Sequence, residues 1–238
     1  MLHRLQLLHV AAGARALHLT PFQRAGVAVG AAVVSFLDPA RSDMVALLGE
    51  ATGGPALAAL RRQMAGTPDG AWLLTHRPRV RGAAFSVAAL AAHPPGSLGA
   101  AYAAYVAAHG FSADARSEVR LLDDPELAYV MARYREVHDF WHVLAELPPT
   151  VLGEVALKWL EMVQTGLPVA ALAALVGPAR LRAKERAVLR TVYAPWALRA
   201  GRACVPLIAV RYEELLPRPL DEVRRALRLE PAPAPPLD

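Results

Sequence analysis

The clearest pattern in the chain is an apolar stripe that begins after Asp124 and ends near Leu147. Its hydrophobic residues recur at three- and four-residue steps, the spacing of one helix face: Leu127, Val130, Met131, Tyr134, Val137, Trp141 and Leu144. The preceding residues 123–126, DDPE, supply an acidic cap, a proline for the first helical position and a glutamate for the first turn. We therefore predict a core helix from this start to about Leu147.

A second helix is predicted directly after the first. Pro148 and Pro149 cannot continue the first helix. Thr150 can cap the next one, which should run to about Thr165, before Gly166. Because so short a turn leaves little room for separation, the two helices should pack as neighbours.

The rest of the chain predicts shorter helices. Thr20-Pro21 reads as a cap and first helical residue, and the apolar run that follows ends near Leu37. This run falls short of the roughly 20 residues of a membrane-spanning helix, and no other stretch is long enough. A buried core helix is favoured, with an interfacial, lipid-contacting helix as the alternative. Further predictions are helices in MVALLGEATG (capped by Ser42 or Asp43), ALAALRRQM, AWLLTHRP and AAYAAYVAAHG (capped by Ser97, ended by Gly110), a turn at 67–70 and irregular structure at 80–95.

Composition favours an all-α protein. Of the 238 residues, 55% are hydrophobic, and alanine and leucine, both helix formers, dominate. The mean hydropathy is +0.27, and no repeat or Gly/Ser linker divides the chain. We predict one domain of packed helices over residues 20–230, with residues 231–238 as a proline-rich tail.

The distribution of charged residues indicates where the protein is targeted and which classes of partner it can bind. The first acidic residue is Asp38, so residues 1–19 resemble an acid-poor mitochondrial presequence; an ordinary basic first helix is the alternative. The net charge of +5 permits a nucleic acid, an anionic membrane or an acidic substrate. The arginines are dispersed, which disfavours nucleic-acid binding. One cysteine, Cys204, excludes an intrachain disulfide and a cysteine zinc cluster.

Three residues that could ligate a metal share one face of the first helix. At about 100° per residue, His138, His142 and Asp139 fall near 0°, 40° and 100° on the helical wheel. Two histidines four residues apart can hold one cation. The HExxH pattern of zinc peptidases has a glutamate as general base where this chain has Asp139, which is shorter and better suited to ligate a metal or orient a histidine. A metal hydrolase is therefore the weakest of the functional hypotheses.

Glu154 can complete the set. It lies in the first turn of the second helix, near enough to face His138 and His142, and with Asp139 it would give four ligands that zinc accepts. Alternatively, Glu154, Lys158 and Glu161 form an i, i+4, i+7 line that would suit a solvated salt-bridge face.

At these residues the chain resembles a known family. HDFWH followed by eleven residues and Glu154 is similar to the HDxxH-x11-E signature of the ubiquinone (coenzyme Q) biosynthesis protein four family. The likeness extends over most of the chain from about Thr20, through DMVALLGEATG, PPGSLG, DDPELAYVMARYREVHD, LGEVALKWLEMVQTGLP, GPARL and YAPWALRAGR.

The resemblance implies a peripheral protein on the matrix side of the mitochondrial inner membrane, working in a complex with other ubiquinone-biosynthesis enzymes, with a homodimer left open. It implies a metal-dependent carboxy-lyase that decarboxylates 4-hydroxy-3-methoxy-5-polyprenylbenzoate, with or without C1 hydroxylation, and an apolar groove or tunnel for the prenyl tail. His138, Asp139, His142 and Glu154 are the implied catalytic residues and metal ligands, and Zn²⁺ is the expected ion.

Two points stay open at this stage. The alternative function is a non-catalytic scaffold that binds the prenyl lipid, with a structural metal. Arg133, Arg135 and Lys158 are candidate helpers at the site, although arginines on helices usually lie at the surface.

Overall fold

A computed structural model describes residues 17–38 and 41–235. Its α-helices are α1 (Pro21–Leu37), α2 (Ser42–Thr52), α3 (Gly54–Ala65), α4 (Pro68–His76), α5 (Val87–Ala91), α6 (Leu98–His109), α7 (Pro125–Ala145), α8 (Val151–Thr165), α9 (Pro168–Val176), α10 (Ala183–Val188), α11 (Ala194–Ala203), α12 (Tyr212–Leu215) and α13 (Leu220–Leu227). Short 3₁₀ turns and one π-helical turn, Leu189–Tyr193, connect some of them. The described residues contain no β-strand, and the prediction of a single all-α domain is confirmed.

Helix α7 is the central element. Asp124 caps it by accepting hydrogen bonds from the N–H groups of Glu126 and Leu127, as the DDPE pattern predicts. The stripe is buried as expected from Val130 onward, with Val137, Trp141 and Leu144 fully inaccessible, whereas Leu127 is partly buried. Helices α3, α4, α6 and α8 pack around α7, so side chains on all of its faces, polar ones included, are held in fixed positions.

The turn between α7 and α8 brings the two helices side by side. Glu146 ends α7 in the left-handed conformation (φ 56°), and the hydroxyl of Thr150 caps α8 by accepting from Gly153 N–H at 3.2 Å. Gly153 is required for this reversal, since a Cβ there would lie 2.0 Å from the carbonyl oxygen of Pro148. The predicted neighbouring helices are confirmed, and Glu154 begins α8 beside α7.

Helix α1 differs from its prediction. Thr20 and Pro21 start it as expected, but the favoured prediction of a buried core helix is wrong for most of its length. Ala31 is buried, whereas Phe22 is 88% and Leu37 73% exposed. The side of α1 that packs on α2 carries small alanines, and larger apolar side chains, among them Val29, Val33 and Phe36, are exposed.

The prediction of a turn at 67–70 is also wrong. Thr67 caps α4 through Gly70 N–H at 3.1 Å and Pro68 is its first residue, because threonine followed by proline suits a helix start as well as a turn. The irregular region predicted at 80–95 contains a 3₁₀ turn and only a five-residue helix, α5.

The two ends of the chain are described in part. The predicted presequence lies, as far as residue 16, outside the described residues. At the other end, Ala232 N–H donates to the carbonyl of Ala145 at 2.8 Å, so the start of the predicted tail contacts the end of α7. In the described ranges, no helix combines the length and the apolar character needed to cross a membrane.

Candidate metal centre

Two histidines of α7 and one glutamate of α8 converge on a common point. The Nε2 atoms of His138 and His142 lie 3.2 Å apart. The carboxylate of Glu154 faces both, with one oxygen 3.2 Å from His142 Nε2 and the other 3.5 Å from His138 Nε2. One ligand atom from each of these residues lies within 4.8 Å of the other two. The structure thus brings together three of the four predicted ligands.

The hydrogen bonds behind the histidines fix which ring nitrogen faces this point. His142 Nδ1 lies 2.9 Å from the carbonyl oxygen of Leu147, which can only accept, so Nδ1 carries the proton. His138 Nδ1 lies 2.6 Å from the carboxylate of Glu161, which fixes its proton in the same way. In the neutral imidazoles both Nε2 lone pairs therefore point toward Glu154 and toward each other, an arrangement that needs a cation or a proton between them.

The spacing fits a tetrahedral zinc ion. Zinc bonds of about 2.0–2.1 Å place neighbouring tetrahedral ligand atoms roughly 3.3 Å apart. The two Nε2 atoms, 3.2 Å apart, lie close to that value, and each has one of the two Glu154 oxygens at 3.2–3.5 Å. Two neutral imidazoles and a carboxylate are also a donor set that zinc and other divalent ions accept.

Asp139, the fourth predicted ligand, lies outside this cluster. Its carboxylate is mostly buried and accepts a hydrogen bond of 2.6 Å from Arg116 Nη2. That it ligates the ion therefore remains a prediction, to which the observed geometry adds no support.

Glu161 is the residue that sequence reasoning missed. The line from Glu154 to Glu161 is not a solvated face, because the Glu161 side chain has no exposed surface. Its carboxylate accepts from His138 Nδ1, from Lys158 Nζ at 2.7 Å and from the hydroxyl of Tyr134. A buried carboxylate that receives the distal N–H of a ligand histidine is a recurrent support of metal sites, since it sets the ring's orientation and raises its basicity.

The charges around the site favour the ionised forms of His138, Glu154 and Glu161. Burial and Lys158 lower the pKa of His138, but Glu161 and Glu154 outweigh them and place it at about 9. Burial raises the pKa of Glu154, yet both imidazoles hold it well below its ordinary range. Burial likewise opposes ionisation of Glu161, whose pKa falls to about 2 because Lys158 and His138 are adjacent. The centre therefore holds two ionised carboxylates, of which Glu161 is already paired with Lys158.

An apolar cavity of about 950 Å³ adjoins the centre. His138, Glu154 and Lys158 form part of its wall. Most of the remaining wall is contributed by α1, α2 and α9, including Val33, Phe36, Leu37, Val45, Leu48, Val169, Leu172 and Val176. Phe36, Leu37 and Leu172 are also exposed at the protein surface, so apolar side chains extend from the cavity wall to the outside.

The three candidate helpers differ in position. Arg133 is fully buried in an ion pair with Glu213 and is absent from the cavity wall. Arg135 lines the cavity, and its Nη2 is bound by Glu50 and by a backbone carbonyl. Lys158 lines the cavity and is linked to His138 through Glu161. Any part that they play in catalysis stays a prediction.

Comparison with known proteins decides the family. Residues 14–233 match the family model described as "Coenzyme Q (ubiquinone) biosynthesis protein Coq4". The chain belongs to this family. The resemblance inferred from HDFWH and Glu154 is thereby confirmed, together with the family's role in ubiquinone biosynthesis.

Individual relatives agree with this assignment. The ubiquinone biosynthesis protein COQ4 homolog, mitochondrial, of Rattus norvegicus is 45% identical over 214 residues, covering 90% of this chain and 81% of the relative. The ubiquinone biosynthesis protein coq4, mitochondrial, of Schizosaccharomyces japonicus is 41% identical over 217 residues, 91% of each chain. A crystal structure from Nostoc punctiforme, of a protein whose name refers to ubiquinone biosynthesis, superposes with a TM-score of 0.68 at 22% identity, over 85% of this chain and 97% of that one. It shows a shared fold.

Proposed function

We propose that the protein is a metal-dependent lyase that removes the C1 carboxylate from 4-hydroxy-3-methoxy-5-polyprenylbenzoate during ubiquinone biosynthesis. The observation that carries this proposal is the convergence of His138, His142 and Glu154 in and beside the wall of an apolar cavity. Zn²⁺ is the proposed ion. Asp139 is part of the proposed catalytic set, whether as a fourth ligand or through its contact with Arg116.

The cavity supports a substrate with a long apolar part. Its volume of about 950 Å³ lies at the upper end of the range usual for small-molecule sites. Aliphatic and aromatic side chains of α1, α2 and α9 would contact the isoprenoid tail. The polar head would then lie near His138 and Glu154, where the wall is polar.

The chemistry requires little from the protein beyond charge and position. The bond between C1 and the carboxylate carbon breaks, and CO₂ leaves. The bonding electron pair stays on the ring and then binds a proton, so that a hydrogen replaces the carboxylate at C1. A bound divalent ion would act as a Lewis acid on a substrate oxygen and stabilise the charge that develops. His138, His142 and Glu154 would hold the ion, while Glu161 keeps His138 oriented. Replacement of the carboxylate by a hydroxyl would in addition need an oxidant such as dioxygen.

We also propose that the protein works as a peripheral protein on the matrix side of the mitochondrial inner membrane. The relatives' names include the word mitochondrial. The exposed apolar residues of α1 and the net charge of +5 support contact with an anionic lipid surface. The other ubiquinone-biosynthesis enzymes are the proposed partners, and a homodimer is compatible with this arrangement.

A direct experiment is to purify the protein, measure bound metal, and incubate it with a farnesylated 4-hydroxy-3-methoxybenzoate while CO₂ and ring products are quantified. We expect turnover that is lost on chelation, restored by zinc, and absent in His142→Ala. Full turnover by a metal-free His142→Ala protein would refute the catalytic proposal. The ring product distinguishes simple decarboxylation from C1 hydroxylation.

A non-catalytic lipid-binding scaffold is the second candidate. It is favoured by the fact that more of the cavity wall comes from α1, α2 and α9, whose residues there are mostly apolar, than from the metal centre. Tight binding of the prenylated benzoate without turnover, in the presence of metal and of dioxygen, would establish this function instead.

A further inference from the structure

Arg116 places a partly unused cation in the cavity wall close to the metal centre. It lines the cavity together with His138 and Glu154. Among the described residues its guanidinium makes one hydrogen bond, from Nη2 to Asp139. An arginine has five N–H donors, so most of those of Arg116 remain available to a ligand.

The segment that carries Arg116 is held in place at several points. Asp114 accepts from Gly82 N–H at 2.8 Å, two residues before Arg116. Glu118 pairs with Arg81 at 2.6 Å, two residues after it. Farther along, Arg120 N–H donates to the buried carboxylate of Glu50 at 2.7 Å. These contacts fix the backbone on both sides of Arg116, and Asp139 then fixes its side chain.

The other cations of the cavity wall near the centre are engaged with the protein. Arg135 Nη2 donates to Glu50 and to the carbonyl of Ala46. Lys158 Nζ donates to Glu161. Arg116 therefore has the most unused hydrogen-bonding capacity of the three. Because Asp139 binds one edge of the guanidinium, it holds the remaining edges in a defined orientation.

A second unused donor lies next to the histidines. The Tyr105 ring stacks against the His142 ring with centroids 5.7 Å apart. Its hydroxyl is buried and has no hydrogen-bond partner in the described residues. Burial, followed by the charges of Asp139 and Glu154, raises the pKa of this hydroxyl, so it keeps its proton and can donate it in a hydrogen bond. A buried donor without an acceptor is costly unless a ligand or water supplies one.

We propose that Arg116, positioned by Asp139, binds the carboxylate of an aromatic acid beside the metal centre. The inference rests on the proposed function for its substrate class, and it gives the aspartate of the HDFWH motif a positioning role in place of metal ligation. A guanidinium matches a carboxylate in shape and charge, and such pairs form strong, directional hydrogen bonds. The Tyr105 hydroxyl, whose ring stacks on His142, is a second unpaired buried donor beside the centre.

The test compares two ligands that differ only in the carboxylate. These are 4-hydroxy-3-methoxy-5-farnesylbenzoate and 2-methoxy-6-farnesylphenol, measured by equilibrium dialysis at 4 °C in detergent with the intact ligand quantified by chromatography. The metal-loaded wild type should bind the benzoate about 10- to 100-fold more tightly than the phenol. Arg116→Gln should lose that preference, bind the phenol as before and keep its metal.

Arg218→Gln is the matched control, because it removes a positive charge from an exposed ion pair, with Glu222, that neither lines the cavity nor holds the segment of Arg116. It should keep the preference for the benzoate. Asp139→Asn should weaken the preference and retain metal. If Asp139→Asn instead loses its metal while Arg116→Gln keeps it, Asp139 is a ligand and the positioning role is wrong.

The remaining outcomes separate this inference from the proposed function. If Arg116→Gln weakens binding of both ligands equally, or the wild type does not prefer the benzoate, carboxylate recognition by Arg116 is refuted even where turnover is observed. If the preference depends on Arg116 but no turnover occurs under any condition, the lyase proposal fails and the carboxylate site stands.

Discussion

Replacing Glu161 by glutamine should weaken metal binding without touching a ligand. The carboxylate of Glu161 receives three donors: one oxygen accepts from His138 Nδ1, and the other from Lys158 Nζ and the Tyr134 hydroxyl. A glutamine has the same shape but one oxygen and one NH₂ group. Whichever way its amide turns, a donor faces a donor.

The effect on the metal follows from the tautomer of His138. With the amide NH₂ facing Nδ1, that nitrogen must accept, and the imidazole proton moves to Nε2, where the ion would bind. Changes of this kind behind a ligand histidine typically cost about 10- to 100-fold in metal affinity. Removal of the carboxylate also leaves Lys158 without its main partner, so stability should fall, by about 3–5 kcal/mol if the lysine stays charged.

The assay is competition for Zn²⁺ against a chromophoric chelator at fixed pH, alongside chemical denaturation of the metal-free protein. Glu136→Gln is the matched control. Glu136 lies in α7 and, like Glu161 in α8, has a buried carboxylate; it accepts hydrogen bonds from Arg79 and from Val80 N–H. It should lose stability and keep its zinc affinity. A folded Glu161→Gln protein with wild-type affinity would refute the reasoning that Glu161 sets the His138 tautomer.

Three further predictions concern the turn, the cysteine and the surface. Gly153→Ala places a Cβ 2.0 Å from Pro148 O and should lower the free energy of unfolding by about 1–3 kcal/mol in denaturant titrations. The control is Gly54→Ala, which has open space around the new Cβ and should change the free energy of unfolding far less. Burial raises the pKa of Cys204 to about 11. Its reaction with a thiol reagent at pH 8 should therefore be slow until the protein is unfolded, and should accelerate as the pH approaches 11. Rapid reaction of the native protein at pH 7 would contradict this. Phe22→Asp should reduce sedimentation with anionic vesicles, and unchanged sedimentation would exclude this end of α1 from the lipid contact.

The sequence predicted well those features that depend on local spacing. The period of α7 placed His138 and His142 on one face, and the proline break with its threonine cap placed Glu154 at the start of a neighbouring helix. Both relations follow from helix geometry and from a turn too short to separate two helices. The three converging residues therefore could be predicted as ligands before the fold was known.

The supporting residues could not be found in the same way. Glu161 and Arg116 reach the centre from positions 23 residues away from His138 and Asp139 in the sequence, on a different helix and a loop. The i, i+4, i+7 spacing that suggests a solvated face is identical for a buried one. Only the packing of α8 against α7 decides between them.

Hydrophobicity likewise could not decide the environment of α1. An apolar helix is stabilised equally by a protein core, a lipid surface or a partner, and the sequence does not say which of these covers it. The observed exposure of Phe22 and Leu37 turns the less favoured interfacial prediction into the basis of a proposal.

The central claim is that His138, His142 and Glu154 hold a divalent ion on which activity depends. Crystals of the zinc-loaded protein, measured on both sides of the zinc absorption edge, test it most directly. The account predicts one anomalous peak about 2.0–2.1 Å from both Nε2 atoms and from a Glu154 oxygen, and no peak in inactive His142→Ala. A zinc-loaded, active protein with no peak at these three residues would contradict it.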